Sequence, residues 1–205
     1  AKRGGFLPPV PLPRRMWAGG KIAFHAPILV GDEVTRRSRI ASVDVKQGRT
    51  GTLCFVGVEH ELSTARGVAR TERHDIVYRD ITANAPPQKN DADSDPATLR
   101  GAVFGSPVLL LRYSALTFNG HRIHYDRDYC IKEEGYAGLV VHGPLQATLM
   151  LEQAARELGQ DKLKTFDYRG MRPLIDGADF TIHTRKVEAG LEAWVCDKDG
   201  FRTFT

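Results

Sequence analysis

Cysteine is scarce in this 205-residue sequence: Cys54, Cys130 and Cys196 are odd in number and far apart, with no Cys-x-x-Cys. That excludes a disulfide framework and a thiol zinc site, and predicts three buried thiols in a reducing compartment. No apolar run approaches the ~18 residues of a membrane span. The opening AKRGGFLPPVPLPRR holds no apolar segment of the secretory type, so no signal peptide is expected. A Gly-rich phosphate loop is also missing, since Gly19–Gly20 is a lone pair. Charge of one sign is not concentrated either. The net charge is +4, and the basic clusters Arg14–Arg15 and Arg36–Arg37 with Arg39 are short and separated. This speaks against a nucleic-acid face, while the modest positive balance suits an acidic ligand.

What remains is ordinary globular composition, 41% hydrophobic and 26% charged, in a length that suits one large domain or two small ones. Residues 1–15 carry four prolines and read as an extended arm. Strand-like runs follow at Lys21–Phe24, Val34–Val45, Thr52–Glu61 and Val68–Tyr78. Turns are expected at Val30–Glu33 and Lys46–Arg49. The polar, proline-bearing stretch 83–100 is a linker, expected to be extended over the surface and without a part in chemistry. Beyond it, Val108–Leu111 with Leu116 and Phe118 reads as a strand. It ends in a tight loop with Asn119, Gly120, His121, Arg122 and His124. A helix then runs from Gly143–Pro144 to the stop at Gly159. Its first turns are apolar on nearly every side, which predicts a helix wrapped in sheet. Four more extended runs, 164–171, 179–186, 191–196 and 201–204, are separated by Asp176–Gly177, Ala189–Gly190 and Asp199–Gly200 and complete that sheet.

A polar loop with histidines facing a bare helix N-terminus is suited to chemistry, because backbone N–H groups there attract developing negative charge. His124 is the candidate base, since imidazole titrates near neutrality; the plainer role is a satisfied loop-edge histidine. Asn119 cannot act as a base, but it can hold a water or orient His124, or end the strand as an Asx turn. Asp126 and His121 are the nearest acid partners, and Asp126 also stands where it would cap a helix starting near Arg127. His142 can be structural or contact substrate. Glycine at 143 permits close backbone approach, and it also suits a helix cap. Arg14, Arg15, Arg122, Arg169 and Arg172 are candidates for a carboxylate or phosphate, or are surface cations. Tyr113, Tyr168 and Trp17 read as core or interface residues.

The run Thr117-Phe118-Asn119-Gly120-His121-Arg122-Ile123-His124, followed by Val141-His142-Gly143, resembles the two-part signature of MaoC-type hot-dog hydratases and dehydratases. His124, Asp126 and Gly143 match by position. Asn119 stands where that pattern has its catalytic Asp, His121 where it has Asn, and Arg122 where it has Pro. With LPRRMWAGG at Leu12–Gly20, these departures are similar to the FAS1-like dehydratase branch, which includes hydratases of C5 dicarboxylic acyl thioesters and 3-hydroxyacyl-thioester dehydratases. The resemblance covers almost the whole chain.

The resemblance implies an α+β, tandem (double) hot-dog fold, with antiparallel sheet wrapped around a long central helix. Residues 1–82 would form the first half, 83–101 the linker and 102–205 the half carrying the motif. No central helix precedes Trp17, so an N-terminal portion is expected outside this sequence, or that half is built differently. The implied activity is reversible hydration of an enoyl-CoA or acyl-carrier thioester, mesaconyl- or itaconyl-CoA being examples. His124, Asn119, Gly143, Asp126 and His121 would do the chemistry, with the Gly143 N–H on the thioester oxygen. Arg122, His142, Arg14, Arg15 and Arg172 would bind substrate. No cofactor or metal, no nucleic acid and no membrane are implied, and a cytoplasmic homodimer (mitochondrial if eukaryotic) is expected. A non-catalytic acyl-thioester-binding module and an acyl-CoA thioesterase are the alternatives.

Overall fold

A computed structural model describes residues 5–48, 51–80, 93, 95 and 99–205. Four long strands come first: β1 (Arg14–Phe24), β2 (Thr35–Gly48), β3 (Gly51–Thr64) and β4 (Gly67–Arg79). β5 (Leu99–Phe104) precedes three helices, α1 (Pro107–Leu116), α2 (Arg127–Lys132) and α3 (Gly143–Leu158). The chain ends in β6 (Thr165–Arg169), β7 (Asp179–Val187), β8 (Gly190–Cys196) and β9 (Arg202–Phe204). Two compact units result, Lys2–Ala85 with Gln160–Arg169, and Pro86–Gly159 with Gly170–Thr205.

The first unit is a five-stranded antiparallel sheet in the order β2-β3-β4-β1-β6. Alternate residues of β3, Cys54, Val56 and Val58, are buried on one face with Tyr78 of β4, as the two-residue period of a strand requires. Val10, flanked by Leu7 and Leu12, packs onto this cluster. The proline-rich arm therefore covers sheet with apolar side chains held on a stiff backbone.

In the second unit, β5-β7-β8-β9 form an antiparallel sheet, and α3 packs across β7, β8 and β9. Leu145, Met150 and Ala154 of α3 are buried, as are Phe180, Ile182, Val195 and Phe204 of the strands. Two buried glutamines pin the helix to its register. Gln146 Oε1 accepts from Thr203 Oγ1 at 2.7 Å, and Gln153 Nε2 reaches Ile182 O and Thr184 Oγ1, each at 3.4 Å. Gly159 stops α3 with φ 94°, a left-handed conformation that glycine adopts without strain. The outer side of α3 departs from the expectation of burial all round, since Thr148 is exposed and Leu149 only half-buried.

Three placements differ from the sequence reading. Val108–Leu111 is helical: Ser106 caps α1, its Oγ accepting from Leu109 N at 3.1 Å, and Pro107 opens the first turn. Strand β6, read as part of the sheet around the helix, pairs instead with β1 of the first sheet. Most of the expected linker lies outside the described residues, but Leu99–Gly101 already belong to β5. Asp93 also does more than span. It accepts from Trp194 Nε1 at 2.5 Å and from Arg202 Nε at 2.8 Å, with the Arg202 guanidinium 4.5 Å from the Trp194 ring. All three cysteines are buried thiols. Among the described residues no helix is long and apolar enough to cross a membrane.

Candidate active site

The loop after α1 is built by local hydrogen bonds. Thr117 Oγ1 donates to Tyr113 O at 2.7 Å, and Asn119 N to Ser114 O at 2.9 Å. Phe118 takes φ 51° between them, a left-handed conformation costly for a bulky side chain, which turns the chain sharply. Asn119 Oδ1 accepts from His121 N at 3.1 Å. That is the Asx turn, so the structure gives Asn119 the loop-shaping role. A single 3₁₀ turn, Arg122–His124, then carries His124 inward, where it is 7% exposed.

His124 Nδ1 lies 2.6 Å from Val140 O. A carbonyl only accepts, so Nδ1 holds the proton and Nε2 of the neutral ring holds the lone pair. The anchoring segment is itself tied down. Val140 N donates to Ile123 O at 3.0 Å and Val141 N to Leu174 O at 2.8 Å. Asp176, its side chain almost fully buried, accepts from Leu139 N at 2.9 Å and pairs with Arg127. Gly138 makes room for it: a Cβ there would stand 2.8 Å from Asp176 Oδ1. Sequence reading took Asp176 only as a turn residue. Nothing local signals its part, because its partners lie 37 and 49 residues away.

His142, wholly buried at the N-cap of α3, lies flat on His124, ring centroids 3.6 Å apart and planes 15° apart. Ser114 Oγ stands 2.8 Å from its Nε2, and Tyr113 meets it edge-on at 4.9 Å. His142 Nδ1 has no hydrogen-bond partner among the described residues. His121, exposed, approaches His124 edge-on at 5.6 Å. Burial pushes His124 down to about 4, with the Val140 carbonyl opposing and His121 adding to the fall. Burial, then His124 and His121, push His142 down to about 3. Both rings are therefore neutral at pH 7.

Gly143 follows directly as the first residue of α3. Its N–H belongs to the turn that lacks intrahelical acceptors and carries the positive end of the helix dipole. The other candidates have different work. Asp126 caps α2, its Oδ1 accepting from Tyr129 N at 3.0 Å, and its Oδ2 pairs with Arg122 at 2.7 Å. The Tyr129 N–H and then Arg122 hold its carboxyl below the usual range. Arg122 is further occupied by the Tyr129 ring, 4.1 Å away. Arg172 stacks on Phe201 at 4.7 Å. Arg14 and Arg15 stand opposite Arg79 and Tyr78 in the first sheet. The structure thus assembles His121, His124, His142 and Gly143, and adds Ser114, Tyr113 and Asp176. Tyr113, read from the sequence as a core or interface residue, packs on His142, and Ser114 escaped that reading because its segment was taken for a strand.

Among the described residues no cluster of His, Cys, Asp and Glu is placed to hold a metal ion. A cleft of about 330 Å³ elsewhere in this unit is lined by acidic and basic side chains together, Asp93, Asp179, Asp197, His183 and Lys198 among them.

The chain is similar to known proteins in sequence and in fold. The chain is 43% identical over 185 residues to mesaconyl-C(4)-CoA hydratase of Chloroflexus aurantiacus, covering 90% of this chain and 66% of that protein. A MaoC-like dehydratase from Phytophthora capsici superposes with TM-score 0.73 at 13% identity, over 99% of this chain and 75% of that one. A Mycobacterium tuberculosis protein described as having a double hotdog fold does so with TM-score 0.51 at 17% identity, over 88% and 68%. These structures show the α+β hot-dog fold. The family model for hydroxyacyl-thioester dehydratase type 2 matches residues 1–176, the whole histidine loop and α3 included. The chain belongs to the hydroxyacyl-thioester dehydratase type 2 family.

Proposed function

We propose that this chain carries the site of a hydro-lyase that adds water reversibly to an enoyl thioester. In the hydration direction, His124 Nε2 takes a proton from water, whose oxygen bonds to the β-carbon. The electron pair of the double bond moves toward the thioester carbonyl. The Gly143 N–H and the α3 dipole stabilise that enolate-like oxygen. The proton then returns from His124 to the α-carbon, so that one water is consumed and the base is restored. Dehydration is the reverse. The observation that carries this reading is the neutral His124, fixed at Nδ1 by Val140 O and lying against His142, the N-cap of α3.

The family supports the reaction class, and the relative from Chloroflexus supports a branched C5 dicarboxylic acyl-CoA as substrate. A CoA or acyl-carrier thioester is the partner, no resident cofactor is needed, and a cytoplasmic homodimer is the expected form. Arg14, Arg15 and Arg172 are the cations proposed for its anionic groups. Asn119 and Asp126 contribute by shaping the loop. The test is loss of the conjugated enoyl absorbance when mesaconyl-CoA or crotonyl-CoA is added. His124→Ala should abolish most of it. Release of free CoA thiol without loss of the double bond would instead indicate a thioesterase, and binding without either would indicate a non-catalytic module.

A further inference from the structure

We propose that Ser114 is a positioning residue for this hydration, acting through His142, which it holds as a flat plate against His124. The inference rests on the hydratase reading and extends it to a helix that does not itself carry the base.

The geometry is a chain of three contacts. Ser114, 5% exposed on the inner face of α1, sets the rotation of His142 through the 2.8 Å contact at Nε2. The edge of Tyr113, one residue earlier, closes a second side of the ring. His142 in turn presents its face to His124 at 3.6 Å. Val140 O fixes one atom of His124 and therefore leaves the ring free to swing about that hydrogen bond. The stack removes this freedom by fixing the plane, so that Nε2 points one way. When His124 accepts a proton during turnover, the π-face of a neutral neighbour favours the cation, whereas a protonated neighbour would repel it. His142 is well suited to stay neutral, being wholly buried with no carboxylate against it among the described residues.

Among the described residues, two rings meet His124. His121 comes from its own loop, His142 from the start of α3, and Tyr113 and Ser114 stand behind His142 on α1. Cys130 of α2, its Sγ donating to Gly138 O at 2.9 Å, is a thiol kept neutral by burial. Asp176 is held by Arg127 and Leu139 N. Loosening His142 therefore changes chiefly the access of water to His124.

The experiment is Ser114→Ala, read in three ways. kcat should fall roughly tenfold with KM nearly unchanged, the effect of one buried hydrogen bond lost from the barrier. The acidic limb of the pH–rate profile should move up toward the ordinary imidazole value, because water now reaches the base. Titration of the His124 Cε1–H signal by NMR should show the same rise without any need for turnover. Ser114→Thr, which keeps the hydroxyl, should restore all three. In a His142→Phe background, Ser114→Ala should cost nothing further, since its route to His124 is gone. A folded Ser114→Ala protein with unchanged kcat, acidic limb and His124 titration would overturn the proposal. So would a full additional loss in the His142→Phe background. If the NMR shift is present but the wild-type chain hydrates no enoyl thioester, the positional link stands and the hydratase reading fails.

Discussion

Each unit of this protein holds a pair of histidines in ring contact, and the two pairs are built on opposite plans. In the second unit His124 and His142 lie flat on one another, tied to a carbonyl and a hydroxyl. In the first, His60 and His74 meet edge-to-face at 4.6 Å and 66°. His60 Nδ1 contacts Ser38 Oγ at 2.7 Å and His74 Nε2 contacts Glu72 at 3.0 Å, with Arg70 on the same carboxylate. Glu72, His74 and Arg70 all lie on β4, so the carboxylate ties side chains of one strand, and the ring contact joins them to His60 of β3. In the second pair the hydrogen-bonding partners are uncharged, and burial keeps both rings neutral. The same pair of side chains is braced by a carboxylate in one place and held by uncharged partners in the other.

That contrast can be broken most sharply by truncation. His124→Ala should lower hydration by roughly a hundredfold or more, as expected for a lost general base, while His74→Ala should change kcat by less than about threefold and act on stability instead. Comparable kinetic losses in both would erase the distinction. Acid titration is the next test. His124 has a folded value of about 4 against an ordinary 6.5, so the unfolded chain binds more protons between those limits. Its contribution to stability is complete above pH 6.5 and is lost as pH falls toward 4. Glu72 is held below its ordinary value first by the His74 hydrogen bond, against its own desolvation. Its contribution is present above the ordinary carboxylate value and is lost only as pH falls below it. Chemical denaturation at stepped pH should show His124→Phe flattening the first window and Glu72→Gln the second. The smallest effect is expected at Asn119. Asn119→Asp keeps the acceptor for His121 N and should leave kcat within about twofold, whereas Asn119→Ala should cost about 1 kcal/mol of stability through the lost turn. A large kinetic loss in Asn119→Asp would show that its amide touches the substrate.

Local chemistry explains what could be read beforehand. Gly143–Pro144 and Gly159 mark α3 because capping depends on immediate neighbours, and the Asp126 cap and the Asn119 turn are equally local. Helix α1 was hidden because Val108-Leu109-Leu110-Leu111 is an apolar block with no visible period. In the structure Leu110 and Ser114 are buried while Val108 and Leu111 are exposed. The adjacent Ser106-Pro107 was the cue, since that pair is a helix start. Mistaking this one element concealed Ser114, which holds His142. Asp176 and the pairing of β6 with β1 depend on contacts far along the chain, where no sequence pattern reaches.

The clasp of Asp93 on Trp194 has an optical consequence. The protein has two indoles, and their surroundings differ in kind. Trp194 is 1% exposed beneath the guanidinium of Arg202, its N–H donated to Asp93. Trp17 is half-buried between Tyr168 and His74 in the other unit. Emission from Trp194 should therefore report on the segment around Asp93, and emission from Trp17 on the first sheet. With either replaced by Phe, the fluorescence of the remaining indole follows the unfolding of one unit alone, with no label added.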